Sequence, residues 1–253
     1  ATRRAVDRVD EIAAPFQGDD RFEHERAVAW GQLAYASRSD PAAMRRAVDR
    51  VDEIAAPFRA DDRFEHERAQ AWRSLAVASS SDPAAMRRAV DRVNEIAAPF
   101  QGDDRFEYER AVAWSLLAYA HSEKHEPSAT RRAVDRVDEI AAPFQGDDRF
   151  EYERALAWCH LAYAYASTRD PAATRYAVDR VDEIAVPFQG DDRFEYERAN
   201  AWRFLALVHM HKLDTAATRR AVDRVNEIAT PFQGDERFDE VRKRVVFHFG
   251  QEP

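Results

Sequence analysis

The sequence predicts an all-α protein built as a solenoid of about six helix-turn-helix repeats, with about twelve helices and no strands. The phrase Arg-Arg-Ala-Val-Asp-Arg-Val, with one Tyr in place of the second Arg, recurs at steps of 42 or 44 residues. Its copies start at Arg3, Arg45, Arg87, Arg131, Arg175 and Arg219. A tryptophan follows each of the first five copies at a constant distance, at Trp30, Trp72, Trp114, Trp158 and Trp202. The prolines fall where helices of this period must begin or end.

The composition restricts the class of protein. The chain has 253 residues, 38 basic and 47 acidic side chains, a formal charge of −9 and 45% hydrophobic residues, which excludes collagen-like, disulfide-rich and disordered chains. Cys159 is the only cysteine and predicts a reducing, cytoplasmic location. No apolar run is long enough for a membrane helix. Arginine far exceeds lysine but is interleaved with Asp and Glu, which indicates ion-paired helix faces in a protein of arginine-rich, bacterial-like composition.

The first helix of each repeat is defined by its caps and its apolar stripe. In the second repeat, Asp40 is placed to cap the helix and Pro41 occupies its first turn. Apolar residues then recur with helical spacing up to Phe58. Pro57 is expected to end the helix, because the residue before a proline is pushed out of the helical conformation.

The second helix is predicted to open at Asp62, with Glu65 three residues later in a capping-box spacing. Its phenylalanines and tryptophans are interpreted as one continuous core. Ala60 replaces the glycine that the other connecting turns carry, which suggests that this turn does not require a positive φ. We therefore predict a single domain over 1–253, with repeats beginning near residues 1, 41, 83, 127, 171 and 215 and a C-terminal capping helix over 235–253.

These residues resemble the tetratricopeptide signature. Trp72-x2-Leu75-Ala76, followed by Ala89-x3-Val93 and Pro99, is similar to the pattern W-x2-L-G…A-x3-F…P. Alanine replaces the signature glycine in every repeat, and the period is closest to the 42-residue tetratricopeptide-like class with near-identical repeats. HEAT and armadillo repeats have a similar period, but the Trp-Leu-Ala triplet favours the tetratricopeptide side. The resemblance implies a right-handed α-α superhelix whose concave groove is lined by the tryptophan-containing helices.

The repeats differ from one another mainly around the tryptophan, and offsets of −2, +1, +5 and +8 from it share one helix face. Drift on a solvent-facing stripe would explain such variation, but this stripe carries aromatic and aliphatic residues. We predict that it lines a ligand-binding groove, with the tyrosines as apolar platforms and Arg73 and Arg203 taking acidic or carboxyl groups. The predicted groove residues are Tyr35, Gln70, Arg73, Val77, Tyr119, Leu156, Cys159, Tyr163, Asn200, Arg203 and Leu207.

The sequence thus predicts a non-catalytic scaffold that binds a peptide or protein segment. The alternative is a structural or regulatory segment of a larger protein that forms homo-oligomers through its terminal repeats, where Phe247 and Phe249 stand. We expect no cofactor, no metal, no nucleic acid and no membrane partner: His121 and His125 lack a third ligand, the net charge is negative, and adjacent Cys159 and His160 point apart on a helix. The chaperone-tail clamp of the family needs repeated Lys and Asn, which are absent.

Overall fold

The computed structural model describes residues 2–37, 39–80 and 82–249. Within these ranges the chain forms twelve α-helices and no strand, which confirms the all-α prediction for them. The helices are α1 Thr2–Ala13, α2 Asp20–Ala36, α3 Pro41–Ala55, α4 Asp62–Ala78, α5 Pro83–Ala97, α6 Asp104–Glu123, α7 Pro127–Ala141, α8 Asp148–Ser167, α9 Pro171–Ala185, α10 Asp192–His211, α11 Thr215–Ala229 and α12 Glu236–Phe249. One 3₁₀ turn follows each odd-numbered helix: Ala14–Phe16, Ala56–Phe58, Ala98–Phe100, Ala142–Phe144, Val186–Phe188 and Thr230–Phe232.

The chain divides into two compact units, and the division falls within α6, after Leu117. In the first unit, consecutive helices from α1 to α5 pack in pairs, and α2 also packs against α4. In the second unit, consecutive helices from α7 to α12 do the same, and α10 packs against both α8 and α12. Each unit is therefore built from successive helix pairs. The single domain over 1–253 stays a prediction.

The odd-numbered helices form as their sequence indicates. In α3, the Asp40 carboxylate accepts a hydrogen bond from the Ala43 amide at 3.0 Å, and Pro41 fills the first position, where its missing N–H costs nothing. After α3 the chain tightens into the 3₁₀ turn that contains Pro57. The expected effect of Pro57 on the residue before it was wrong: Ala56 keeps a helical backbone, with φ −54° and ψ −39°, and the chain leaves the helical region only at Arg59. Phe58 of this turn stacks on Phe64 of α4, with ring centroids 4.3 Å apart. The stacked pair fixes the direction in which the second helix leaves the turn.

The cap of the second helix differs from the prediction. Asp61, not Asp62, is the N-cap residue: its backbone is extended, and its carboxylate accepts from the Arg63 amide at 3.0 Å. Glu65 is then one position too far along the helix for a capping box. Its carboxylate is instead buried against the Arg68 guanidinium at 2.6 Å. Two successive aspartates made the register ambiguous from sequence alone.

The expectation for Ala60 was wrong. Its φ is 83°, close to the 87° to 90° of the glycines in the equivalent turns. The chain must enter the left-handed region here to pass from the 3₁₀ turn to the next N-cap, so alanine accepts a strain of about 1–2 kcal/mol. A Cβ built on Gly102 of the next repeat meets no atom within 4 Å. The strain at Ala60 therefore lies in the backbone and not in a steric clash with neighbours.

The tryptophans are core residues, as predicted. Their exposed fractions lie between 1% and 8%. Each indole N–H donates to the side chain of an Asp or Asn on the preceding helix, at 3.0 to 3.3 Å; the acceptors are Asp10, Asp52, Asn94, Asp138 and Asp182. Because these acceptors stand on the odd-numbered helices, the indole ties the two helices of each pair together.

Candidate binding surface

A cavity of about 660 Å³ in the second unit gathers six of the predicted groove residues. It is lined by the last part of α6 and by α8, α10 and α12. The predicted residues that it brings together are Tyr119, Leu156, Cys159, Tyr163, Asn200 and Arg203. The even-numbered helices position them, because the buried tryptophan turns the opposite side of each helix away from its odd-numbered partner.

Aromatic rings form one wall of this cavity. Tyr119 lies 5.1 Å from the His160 ring, and Tyr163 lies 5.0 Å from the Phe204 ring, measured between centroids. In both pairs the residue five after one tryptophan meets the residue two after the next tryptophan. Burial lowers the pKa of His160 to about 4, so its imidazole is neutral at pH 7. The wall therefore offers flat, uncharged surface, with Tyr119 38% exposed.

A buried thiol and a buried carboxyl group form the floor of the cavity. Cys159 and Glu197 are 3% and 5% exposed and are hydrogen-bonded to each other, the thiol donating to the carboxylate. Burial, with a smaller contribution from the nearby charge of Glu153, raises the pKa of Glu197 to about 7. Burial also raises the pKa of the Cys159 thiol well above its ordinary value of 9.0. The thiol is therefore protonated at neutral pH and serves as a hydrogen-bond donor, with little nucleophilic character.

We expect Glu197→Gln to change how the stability of the protein depends on pH. The folded-state pKa of Glu197 is raised from 4.5 to about 7, so its contribution to stability is present below pH 4.5 and is lost as the pH rises through 7. The glutamine variant lacks this loss and should be more stable than wild type at pH 8 by roughly 2–3 kcal/mol. Urea denaturation at pH 5 and pH 8 measures the difference. A constant gap between the two proteins at both pH values would contradict the shifted pKa.

In the first unit, Tyr35, Gln70 and Arg73 line a smaller hollow of about 220 Å³. The Arg73 guanidinium lies 2.7 Å from the Glu109 carboxylate, which is buried. The angle at this contact is unsuited to a hydrogen bond, so charge attraction holds the pair. Arg73, predicted to take a carboxyl group from a ligand, is therefore already paired with one from α6.

Two predicted residues line neither hollow. Val77 is 42% exposed, and Leu207 is half-buried; neither belongs to the linings of the two hollows described above. Both stand at the +5 offset, so that offset contributes to the cavity only at Tyr119 and Tyr163. The groove residues are thus brought together in part, mainly in the second unit.

Six residues that line the larger cavity were not predicted from the sequence: Glu123, His160, Tyr196, Glu197, Phe204 and Arg244. His160 and Phe204 stand at the +2 offset, which also varies among repeats but was excluded by the single-face criterion. The position of Glu197 is glutamate in five repeats, so a search for positions that differ between repeats could not find it. Arg244 belongs to α12, in the repeat that has lost its tryptophan, so its position could not be given as an offset from that residue.

Several predictions concern groups or segments outside this surface. In the described ranges, no three His, Cys, Asp or Glu side chains are grouped so that they could hold a metal ion. None of the helices in these ranges has the length and apolar content that a membrane crossing requires. The side chains of Phe247 and Phe249, on which the self-association alternative depends, lie outside what the structure describes.

Comparisons with known proteins inform the fold alone. No protein-family model matches the chain, and no curated protein matches it. Three crystal structures described as engineered proteins are similar to it. The first has 16% identity and a TM-score of 0.53 over 97% of this chain and 96% of its own. The second has 16% identity and a TM-score of 0.51 over 98% of this chain and 58% of its own, and the third has 17% identity and a TM-score of 0.53 over 98% and 99%. At this level of identity the likeness supports an all-helical repeat fold with about six repeats, as the helix pairs described above also indicate.

Proposed function

We propose that this chain is a non-catalytic scaffold that binds a peptide or protein segment in the cavity of its second unit. One observation carries the proposal: six of the eleven predicted groove residues, chosen where otherwise near-identical repeats differ, line one cavity with an aromatic wall and arginines at its edge. Its volume falls within the usual range for ligand-binding clefts. Aromatic residues and arginine are also the types enriched at protein interfaces.

The resemblance to the 42-residue tetratricopeptide-like class supports the same proposal, because that class presents its tryptophan-containing helices to ligands. The cavity is lined by such helices, α8 and α10, together with the last part of α6 and with α12. The net charge of −9 disfavours a nucleic-acid partner. The unpaired, buried Cys159 is compatible with a cytoplasmic location.

The test is a selection from a random peptide library on the full chain, followed by titration of synthetic peptides against wild type and variants. The double variant Tyr119→Val/Tyr163→Val removes both rings. It introduces valine, which the second repeat already carries at this offset as Val77. Loss of two aromatic contacts should weaken binding by about tenfold or more. Tyr176→Arg is the matched control, since Tyr176 is 48% exposed on α9 and five other repeats carry Arg there. Unchanged affinity in the double variant would refute the cavity as the binding site.

The self-association alternative has one supporting observation, at α1. Ile12 is 54% exposed, whereas the equivalent Ile54 and Ile96 are 5% and 4% exposed. An even-numbered helix of a second copy would fit against this apolar surface. In later repeats an even-numbered helix covers the equivalent isoleucine. Light scattering over a concentration series tests it, because a chain that stays monomeric throughout would exclude this mode of assembly.

A further inference from the structure

Arg203 lacks the partner that its position has in another repeat. Arg73 and Arg203 both stand one residue after a tryptophan. In the first unit, Arg73 is paired at 2.7 Å with Glu109. In the sixth repeat, the one after that of Arg203, the residue that corresponds to Glu109 is Val241, a buried residue of α12 that is 2% exposed. The carboxylate that neutralises one arginine is thus replaced by an apolar side chain at the other.

A contact made by the fourth repeat, which lies between the repeats of Arg73 and Arg203, supports this alignment of Val241 with Glu109. Cys159 occupies the same offset in the fourth repeat, and its thiol contacts Glu197, 38 residues later. Val241 is likewise 38 residues after Arg203. The residue at this offset therefore faces the same position of the next repeat, and Val241 is the residue that Arg203 faces.

The Arg203 guanidinium makes few hydrogen bonds and no ion pair with the described part of the chain. Its Nε lies 3.4 Å from the Asn200 amide oxygen, and its charged centre lies 4.3 Å from the Phe204 ring centroid. No carboxylate of the described residues lies within ion-pair distance of it. Burial lowers the pKa of Arg203, and the nearby positive charge of Arg244 lowers it further. A guanidinium has five N–H donors, and the hydrogen bond to Asn200 uses one of them, so donors remain for a ligand in the cavity that Arg203 lines.

The charges around the cavity are unevenly distributed. Arg244 projects from α12 on the same side as Arg203 and donates to Glu240 at 2.9 Å. Glu123 belongs to α6, on the side of Tyr163: burial raises the pKa of that phenol, and the charge of Glu123 adds to the shift. Glu197 is held by Cys159, and burial raises its pKa to about 7, which reduces its negative charge. Positive potential is therefore concentrated where α10 meets α12.

From this arrangement we infer that Arg203 is the anion-binding subsite of the cavity, and that it takes the carboxylate of an Asp or Glu side chain in the bound segment. An aromatic or aliphatic residue beside that acid would pack on the wall formed by Tyr163 and Phe204. A carboxylate would supply the partner that Val241 cannot, and charge-assisted hydrogen bonds to arginine are among the stronger polar contacts. This inference rests on the proposed function and specifies the chemistry of its ligand.

The experiment compares peptide selections on four full-length proteins. Selection on wild type should enrich Asp or Glu next to an aromatic or aliphatic residue. Arg203→Ser introduces the residue that Ser115 provides at this offset, and Val241→Glu supplies the missing carboxylate while it keeps the arginine. In both variants the acidic preference should disappear, and an acidic peptide selected on wild type should bind about 10- to 100-fold more weakly.

Arg73→Ser is the matched control: the residue type and offset are the same, but this arginine is already paired with Glu109. It should leave the acidic preference and the affinity unchanged. Far-UV circular dichroism and thermal melting of each variant establish that it is folded. If Val241→Glu fails to fold, Arg203→Ser and a peptide with Asn or Gln in place of the acid decide the matter, since the neutral peptide should lose the same 10- to 100-fold on wild type.

The outcomes separate the two claims. If no peptide is enriched on wild type, the proposed function fails. If peptides are enriched and depend on Tyr119 and Tyr163 but carry no acidic preference, only the Arg203 subsite is refuted. Amidation of the peptide C-terminus should not change the affinity. A loss on amidation, with no effect of the Asp or Glu side chain, would mean that the subsite takes a chain terminus and would overturn the inference as stated.

Discussion

Replacing Arg198 with alanine is expected to lower the free energy of unfolding by about 3–5 kcal/mol, since breaking a buried ion pair leaves an uncompensated charge in the interior. Arg198 is 5% exposed. Its guanidinium contacts Glu195 at 2.7 Å and Asp182 at 2.9 Å. Asp182 also accepts the Trp202 indole N–H at 3.0 Å, so this cluster joins α9 to α10. Urea denaturation at pH 7, followed by circular dichroism, measures the loss.

Two further variants make the test specific. Arg180 pairs with Glu183 on the surface of α9, and Arg180→Ala should change stability by no more than about 0.5 kcal/mol. Asp182→Asn should also be tolerated, at a cost of about 1 kcal/mol. The third repeat already carries Asn94 there, where it accepts from both Arg110 and Trp114. An Arg198 effect as small as that of Arg180 would show that the buried cluster contributes little.

Replacing Trp158 with alanine should have a cost of similar size, about 3–5 kcal/mol, because it opens a cavity in the core of the second unit. Trp158 is 1% exposed, its indole N–H donates to Asp138 at 3.1 Å, and the Arg131 guanidinium lies 4.8 Å from its ring. Trp158→Phe keeps most of the packing but leaves Asp138 without this donor, and should cost about 1–3 kcal/mol.

Tyr176→Arg tests whether the loss of stability in Trp158→Ala comes from the buried indole or from its edge-on contact with the Tyr176 ring. Tyr176 contacts Trp158 edge-on at 5.5 Å but is 48% exposed. Because five other repeats carry arginine at this position, the change should stay within about 0.5 kcal/mol. Equal destabilisation by Tyr176→Arg and Trp158→Ala in denaturant titrations would contradict the interpretation of the indole as the main core contact.

The sequence by itself determined where the helices lie. Pro41 and its equivalents begin helices because proline fits the first turn. The α-helix does end just before Pro57, but Ala56 between them keeps a helical backbone, so the expected restriction of the residue before the proline is not what ends it. The tryptophans were assigned to the core from their constant spacing, which only a packed interior requires. These signals are local or strictly periodic, so they can be interpreted without knowing which residues meet in space.

The tertiary structure decided what each exception to the repeat does. Ala60 has a positive φ because the connection between α3 and α4 imposes it, whichever residue stands there. Arg73 and Arg203 have the same offset, yet one is paired with Glu109 and the other faces Val241. Glu197, identical to its counterparts in sequence, owes its raised pKa to burial beside Cys159. For Arg73, Arg203 and Glu197 the deciding residue lies in a neighbouring helix 36 or 38 residues away, and charge, burial and hydrogen bonding depend on such contacts rather than on the residue type alone.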